Sequence, residues 1–334
     1  MAAQITGWIT RGATTRPLPT PALPANREVA LQAILHPSRL PSVPAVAVKV
    51  AEITTRPDCL PAHVGSVIAG DPGFSAALLQ TVNCAREGAA RTVGSVDRAV
   101  LVAGLNRVRV LALGLSLPAM RPQSRYVPAA LAHSLTSIGG AIFARELAVR
   151  RGRPEPEEDL NAALLRDLGV LLIQQTFPRA WAELLACKDD PLGEEACARE
   201  VAKFGIHHAE VGAEALRRWG LPDDIVEPVL HHHHPDRLAG TRHADRAELL
   251  WFADLLTRLE AVVEHPEAID RVLTIATTRF GLTRGKLADF LDEVRPKIDQ
   301  FAEALNREIG RCPDYGSLLS VATDELSRLS PARG

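Results

Sequence analysis

The stretch Ala163-Leu164-Leu165-Arg166-Asp167-Leu168-Gly169-Val170-Leu171-Leu172-Ile173 sets a cation and an anion side by side in an otherwise apolar run. A fold that buries this run must find partners for both charges, because an unpaired ion in a protein interior is too costly to keep. Other polar groups on apolar, helix-patterned sequence are suited to meet it. These are His133 in LAHSLTSIGGAIFAREL, His208 in FGIHHAEVGAEALRRWGLP, and His231 to His234 in VEPVLHHHHPDR, with Asp254 following in LWFADLLTRL. Imidazoles and carboxylates are ligands for Zn, Fe and Mn, and facing helices can bring them to one point. Arg166 stands where a further ligating His would be needed, and its guanidinium has only donors and stays protonated. It puts a fixed positive charge in the place of an ion and can pair with Asp167 or Asp254. The cluster is therefore expected to hold together without metal. On a continuous helix the side chains of Arg166 and Asp167 diverge by about 100° and bracket a point that adjacent helices would fill.

The rest of the chain reads as helices. Ala and Leu dominate, strict alternation is hard to find, and the 46% hydrophobic content suits a packed core. Residues 1–26, rich in Thr, Pro and Ala, are expected to form a flexible leader with Trp8 as its one anomaly. A first lobe, 27–120, carries Val43, Val46, Val50 and Ile53 at helical spacing. It continues with a helix from Leu60 to Ala69 and one capped by Asp71 before Pro72. Ser95 caps a helix to Val102 that Gly104 ends, and Asn106 starts another to Leu117. After a break at Pro118 to Pro128, a second lobe, 126–260, opens on a helix from Ala129 to Arg150. A C-terminal extension, 261–334, ends with Tyr315, Leu319, Ala322, Leu326 and Leu329 at coiled-coil steps, which predicts either packing on its own lobe or a homodimer through that helix.

Composition narrows the function classes. A formal charge of −2 gives no global attraction to nucleic acid or anionic lipid, and 4% aromatics argues against base-stacking platforms. Arg98, Arg107 and Arg109 could make a local phosphate-facing or partner surface across VAGLNRV, where a packed lobe with a solvated rim is the plainer reading. Five dispersed cysteines without C-x-x-C spacing fit buried small hydrophobes in a reducing cytosol. No stretch reaches the ~18 apolar residues of a membrane span, so the expected location is cytoplasmic.

The segments LPSVPAVAVKVAEI, VIAGDPGFSAALLQTVNCA, SVDRAVLVAGLNRVRVLALGL and HHAEVGAEALRRWGLPDDIVEPVLHHHHP, together with the Arg166-Asp167 dyad, make residues 38–260 resemble the HDOD family. That family is the degenerate branch of the HD metal-dependent phosphohydrolases. Two departures stand out: Cys84 follows Asn83 where relatives often carry Ser, and the dyad reads Arg-Asp. The resemblance implies an all-α helical bundle, an HD-like domain preceded by a helical lobe, in a bacterial signalling or regulatory protein that is a non-catalytic scaffold. Its partners would be proteins of a signalling pathway and it would need no cofactor. His133, Arg166, Asp167, His208, His231, His232 and Asp254 would mark the degenerate centre. The alternatives are a residual phosphohydrolase for a nucleotide or cyclic dinucleotide, using Fe, Mn or Zn on those residues, and a nucleic-acid-binding regulator working through the arginines.

Overall fold

Asn26 starts the first helix: its Oδ1 accepts from the Val29 N–H at 3.0 Å, and Arg27–Ile34 (α1) follows. In the computed structural model, residues 21–304 are described with breaks at 25, 37–44, 55, 57, 71, 85–92, 117–126, 186–192, 194, 220 and 263–264, and every regular element among them is helical. The expected cap Asp71, residues 1–20 of the leader, and the heptad positions from Tyr315 to Leu329 lie outside the described residues.

The first lobe comprises α2 (Ala45–Ile53), α3 (Pro61–Ala69), α4 (Pro72–Cys84), α5 (Val96–Ala103) and α6 (Leu105–Ser116). Ser95 accepts from the Arg98 N–H and Gly104 ends α5 at φ 80°, the left-handed region that glycine tolerates. Asn83 holds Val93 by both of its main-chain groups, accepting from its N–H at 2.7 Å and donating to its carbonyl at 3.0 Å. Helix α1 lies against the second lobe, where the Arg27 guanidinium meets Glu210 at 2.6 Å.

The second lobe runs through α7 (Val127–Arg150), α8 (Pro156–Leu165), α9 (Leu168–Thr176), α10 (Pro178–Leu185), α11 (Ala196–Phe204), α12 (His208–Arg218) and α13 (Asp223–Leu230). A 3-10 turn (Pro235–Leu238), α14 (Ala244–Thr257) and α15 (Leu259–Val262) complete it. Helices α7, α8 and α14 pack together as its centre. Asp159, fully buried on α8, accepts from Arg153 at 2.7 Å and from Arg246 of α14 at 2.8 Å, which pins α8 to α14 at one end. Helices α9 and α12 cross through two glycines, and a Cβ on Gly169 would lie 1.9 Å from the His208 carbonyl oxygen. The extension continues as α16 (Pro266–Phe280) and α17 (Arg284–Ala304), and α17 touches both α7 and α4 and so spans the two lobes.

One expectation is corrected at the dyad. Arg166 and Asp167 do not ride a continuous helix; they form the turn between α8 and α9. Arg166 thereby sits at the C-terminal, electronegative end of α8 and Asp167 at the N-terminal, electropositive end of α9, the side of each dipole that suits its charge.

Candidate functional site

The Arg166 side chain has no solvent exposure and is held on all sides. Its Nη1 donates to the Ala163 carbonyl at 3.0 Å, closing the end of α8, and its Nη2 donates to the Thr136 carbonyl of α7 at 3.1 Å and to Asp254 Oδ1 of α14 at 3.2 Å. Its Nε lies 3.1 Å from Asp167 Oδ2 but out of line for a hydrogen bond. Gly140 on α7 leaves the room, since a Cβ there would come within 2.4 Å of Nη1. The other oxygen of Asp254 accepts from Arg258 Nε at 2.9 Å, one turn along α14. Burial works against a charge on Asp254, yet Arg258 and Arg166 hold its carboxyl well below the usual carboxylate range.

Next to this ion cluster three imidazoles converge. His208 is the first residue of α12, and the buried Glu200 on α11 accepts both its main-chain N–H at 2.6 Å and its Nδ1 at 2.8 Å. A ring that gives its Nδ1 proton to a carboxylate turns the Nε2 lone pair outward, the arrangement of metal-ligating histidines. His232 donates Nδ1–H to the Val229 carbonyl at 2.7 Å, which frees its Nε2 in the same way. The two Nε2 atoms stand 3.4 Å apart and lie 3.7 and 3.8 Å from Asp167 Oδ1. Nitrogens about 2.0–2.1 Å from a tetrahedral Zn²⁺ stand about 3.4 Å apart, so Asp167, His208 and His232 fit a divalent cation. His233 Nε2 lies 2.9 Å from His208 Nε2, and with the buried Cys197 on α11 these two rings make a second group of close donor atoms.

The four-histidine run therefore divides. His232 and His233 turn inward, while His231 stays at the rim 4.0 Å from Glu227 and His234 faces solvent. His133 lies on α7, with its side chain outside the described residues. Arg98 is exposed on α5, Arg107 is ion-paired with Glu155, and Arg109 is half-buried, so the three arginines do not share one free face. Sequence reasoning missed Glu200, Arg258 and Cys197 as members of the cluster, and within the His231 to His234 run it picked His231 and His232 rather than His233 for the degenerate centre. Cys197 and Glu200 are three apart on one helix and so share a face, a signal that could have been read. Its direction depended on α11 meeting α12.

The electrostatics sort the imidazoles by role. Burial opposes a charge on His208, but Glu200 raises its pKa above the ordinary imidazole value. Burial pushes His232 down to about 4 and His233 well below the ordinary range. Burial with Glu200 also pushes the Cys197 thiol up to about 12. For His232 the folded state binds a proton less readily than the unfolded chain, so its contribution is complete above about pH 6.5 and is lost as pH falls toward 4. The loss is about 3 kcal/mol over that window. His208 acts with the opposite sign, losing stability as pH rises through its raised value. We expect stability to climb between pH 4 and 6.5 and His232→Gln to flatten that climb, as measured by denaturant unfolding across the window. An unchanged slope in the variant would show that the buried ring is not what titrates.

The sequence model of the family described as HDOD domain matches residues 40–235. No curated protein matches. Among solved structures, the chain resembles a protein named "Putative phosphohydrolase" from Shewanella amazonensis SB2B at 22% identity and TM-score 0.53, covering 87% of this chain and 97% of that one. It also resembles an HDOD domain protein of unknown function from Geobacter sulfurreducens at 20% identity and TM-score 0.51, with 90% and 96% covered. A third match, named "Putative signal transduction protein" from Marinobacter aquaeolei VT8, has 21% identity and TM-score 0.50; it covers 96% of this chain and 65% of that one. At such identities these likenesses establish the all-helical fold. No helix among the described residues is long and apolar enough to cross a membrane.

Proposed function

The chain belongs to the HDOD family, whose model matches more than half of it, and on that premise we propose that it is a signalling or regulatory module that works by binding rather than by hydrolysis. One observation carries this reading: the Arg166 guanidinium fills the carboxylate end of the cluster, between Asp167 and Asp254. In an HD-type hydrolase that end would help hold a cation able to lower the pKa of a bound water. Here both oxygens of Asp254 already accept from arginines, so the carboxylate has no remaining duty toward an ion. The resemblance to a protein named for signal transduction supports the regulatory side of the reading, and protein partners in such a pathway are part of the proposal.

The purified protein, supplied with Mn²⁺, Fe²⁺ or Zn²⁺, is expected to turn over neither bis(p-nitrophenyl) phosphate nor a cyclic dinucleotide above the buffer rate. Arg166→His, which exchanges a permanent cation for a donor nitrogen, is expected to raise Mn²⁺ affinity about tenfold or more by titration calorimetry. Hydrolysis by the unaltered chain would overturn the reading.

A second reading is favoured by the spacing of Asp167, His208 and His232: a residual phosphohydrolase in which these three hold the ion. Glu200 would then fix the His208 ring, and Arg166 would have to release Asp254 to meet substrate phosphate. The fourfold grip on its guanidinium speaks against that release.

A further inference from the structure

We propose that Cys197, His208 and His233 form a binding site for a borderline-soft divalent cation of the zinc class, with the Cys197 thiolate as a ligand. The donor atoms of these three residues lie within 4.8 Å of one another. The inference deepens the reading of Arg166 as a resident cation and rests on it. With the carboxylate end filled by a guanidinium, an ion is confined to the imidazole end.

The thiolate set follows from how α11 is built. Cys197 and Glu200 stand three residues apart, so one face of this helix presents a sulfur and a carboxylate together. Both are buried, Cys197 to 8% exposure and Glu200 to 2%. Glu200 accepts the Nδ1–H hydrogen bond of His208, which makes the Nε2 lone pair more basic and aims it at the neighbouring rings. There it meets His233 Nε2 at 2.9 Å and His232 Nε2 at 3.4 Å. Neutral His232 donates Nδ1–H to the Val229 carbonyl, so its Nε2 brings a lone pair. At most one ring proton can lie between such closely spaced nitrogens, and a divalent cation satisfies more of them at once. Sulfur beside imidazole selects zinc-like ions over the hard Mg²⁺ and Ca²⁺. Asp167, by contrast, is already 3.1 Å from the Arg166 guanidinium, which weakens it as a cation ligand. Binding forms a metal–sulfur bond, breaks the S–H bond and releases that proton to solvent.

Co²⁺ is the probe, because thiolate ligation has its own optical signature. The full chain, stripped with a chelator, is expected to take up one Co²⁺ with a thiolate-to-cobalt charge-transfer band in the near ultraviolet and the visible bands of a four-coordinate ion. Cys197→Ser should abolish the charge-transfer band and weaken binding at least tenfold. His234→Ala, outside the site, should change neither and so reports on adventitious binding by the histidine run. Cys197→Ala gives the same reading should the serine variant lose its helical circular dichroism. Uptake without the band, a band that survives both Cys197 variants, or no uptake at all overturns the proposal. Phosphodiester hydrolysis by the cobalt-loaded chain would instead overturn the non-catalytic reading and leave the thiolate ligand standing.

Discussion

Arg166→Met is expected to destabilise the protein by about 3–5 kcal/mol, the usual cost of removing one partner from a buried ion pair. Methionine fills much of the same length, so the loss is electrostatic and polar rather than a cavity. Asp167 would lose the Arg166 guanidinium, and the Ala163 and Thr136 carbonyls the side-chain donors it brings. A hydrogen bond to a charged group is worth about 1.5–3 kcal/mol, and these losses make up much of the expected cost. Asp254 keeps Arg258, which moderates the total. Urea unfolding at an unchanged slope measures the loss. Arg166→Lys should recover only part of it, because a point charge on a flexible stem cannot reproduce the guanidinium's forked hydrogen bonds to Ala163, Thr136 and Asp254. A loss under about 1 kcal/mol would mean that the guanidinium is not the strut it resembles.

Gly169→Ala is expected to cost about 3 kcal/mol, at the upper end for overpacking, and to disturb the cluster as well as the fold. The added methyl would meet main chain rather than a yielding side chain: the His208 carbonyl oxygen at 1.9 Å and the Gly212 nitrogen at 2.9 Å. Relief requires α9 and α12 to separate. Because His208 begins α12 and its own carbonyl is the group struck, that movement shifts its ring relative to Cys197 and His233. The variant should therefore unfold at lower denaturant and also bind Co²⁺ more weakly, whereas a purely local clash would change stability alone. Gly212→Ala, whose Cβ would come no closer than 3.2 Å to Gly169, should be the milder of the pair.

Much of the fold was legible because helices announce themselves locally. Ser95 and Gly104 mark the two ends of α5 as read, and the apolar spacing of Val46, Val50 and Ile53 marks α2. That Arg166 would pair with Asp167 or Asp254 was legible too, whereas its reaching both at once was not. What escaped depends on tertiary arrangement. The turn at Arg166 and Asp167 separates two helices within one apolar run, and nothing in that run marks it. The inward turn of His232 and His233, with His231 left at the rim, follows from where α13 ends, and four identical residues carry no internal clue to it. Glu200 acquires its role only because α11 turns back at Gly205, φ 72°, to bring His208 under it.

The polar links that fasten outlying helices to the second lobe differ in kind from those at its centre. Arg107 with Glu155, and Arg27 with Glu210, end in side chains that water reaches, whereas Arg166 is sealed. Dissolved electrolyte screens charges beyond a Debye length of about 8 Å at physiological strength and touches dry pairs far less. Ionic strength is thus a selective lever on this molecule, able to slacken its outer moorings while the guanidinium at its heart keeps its grip.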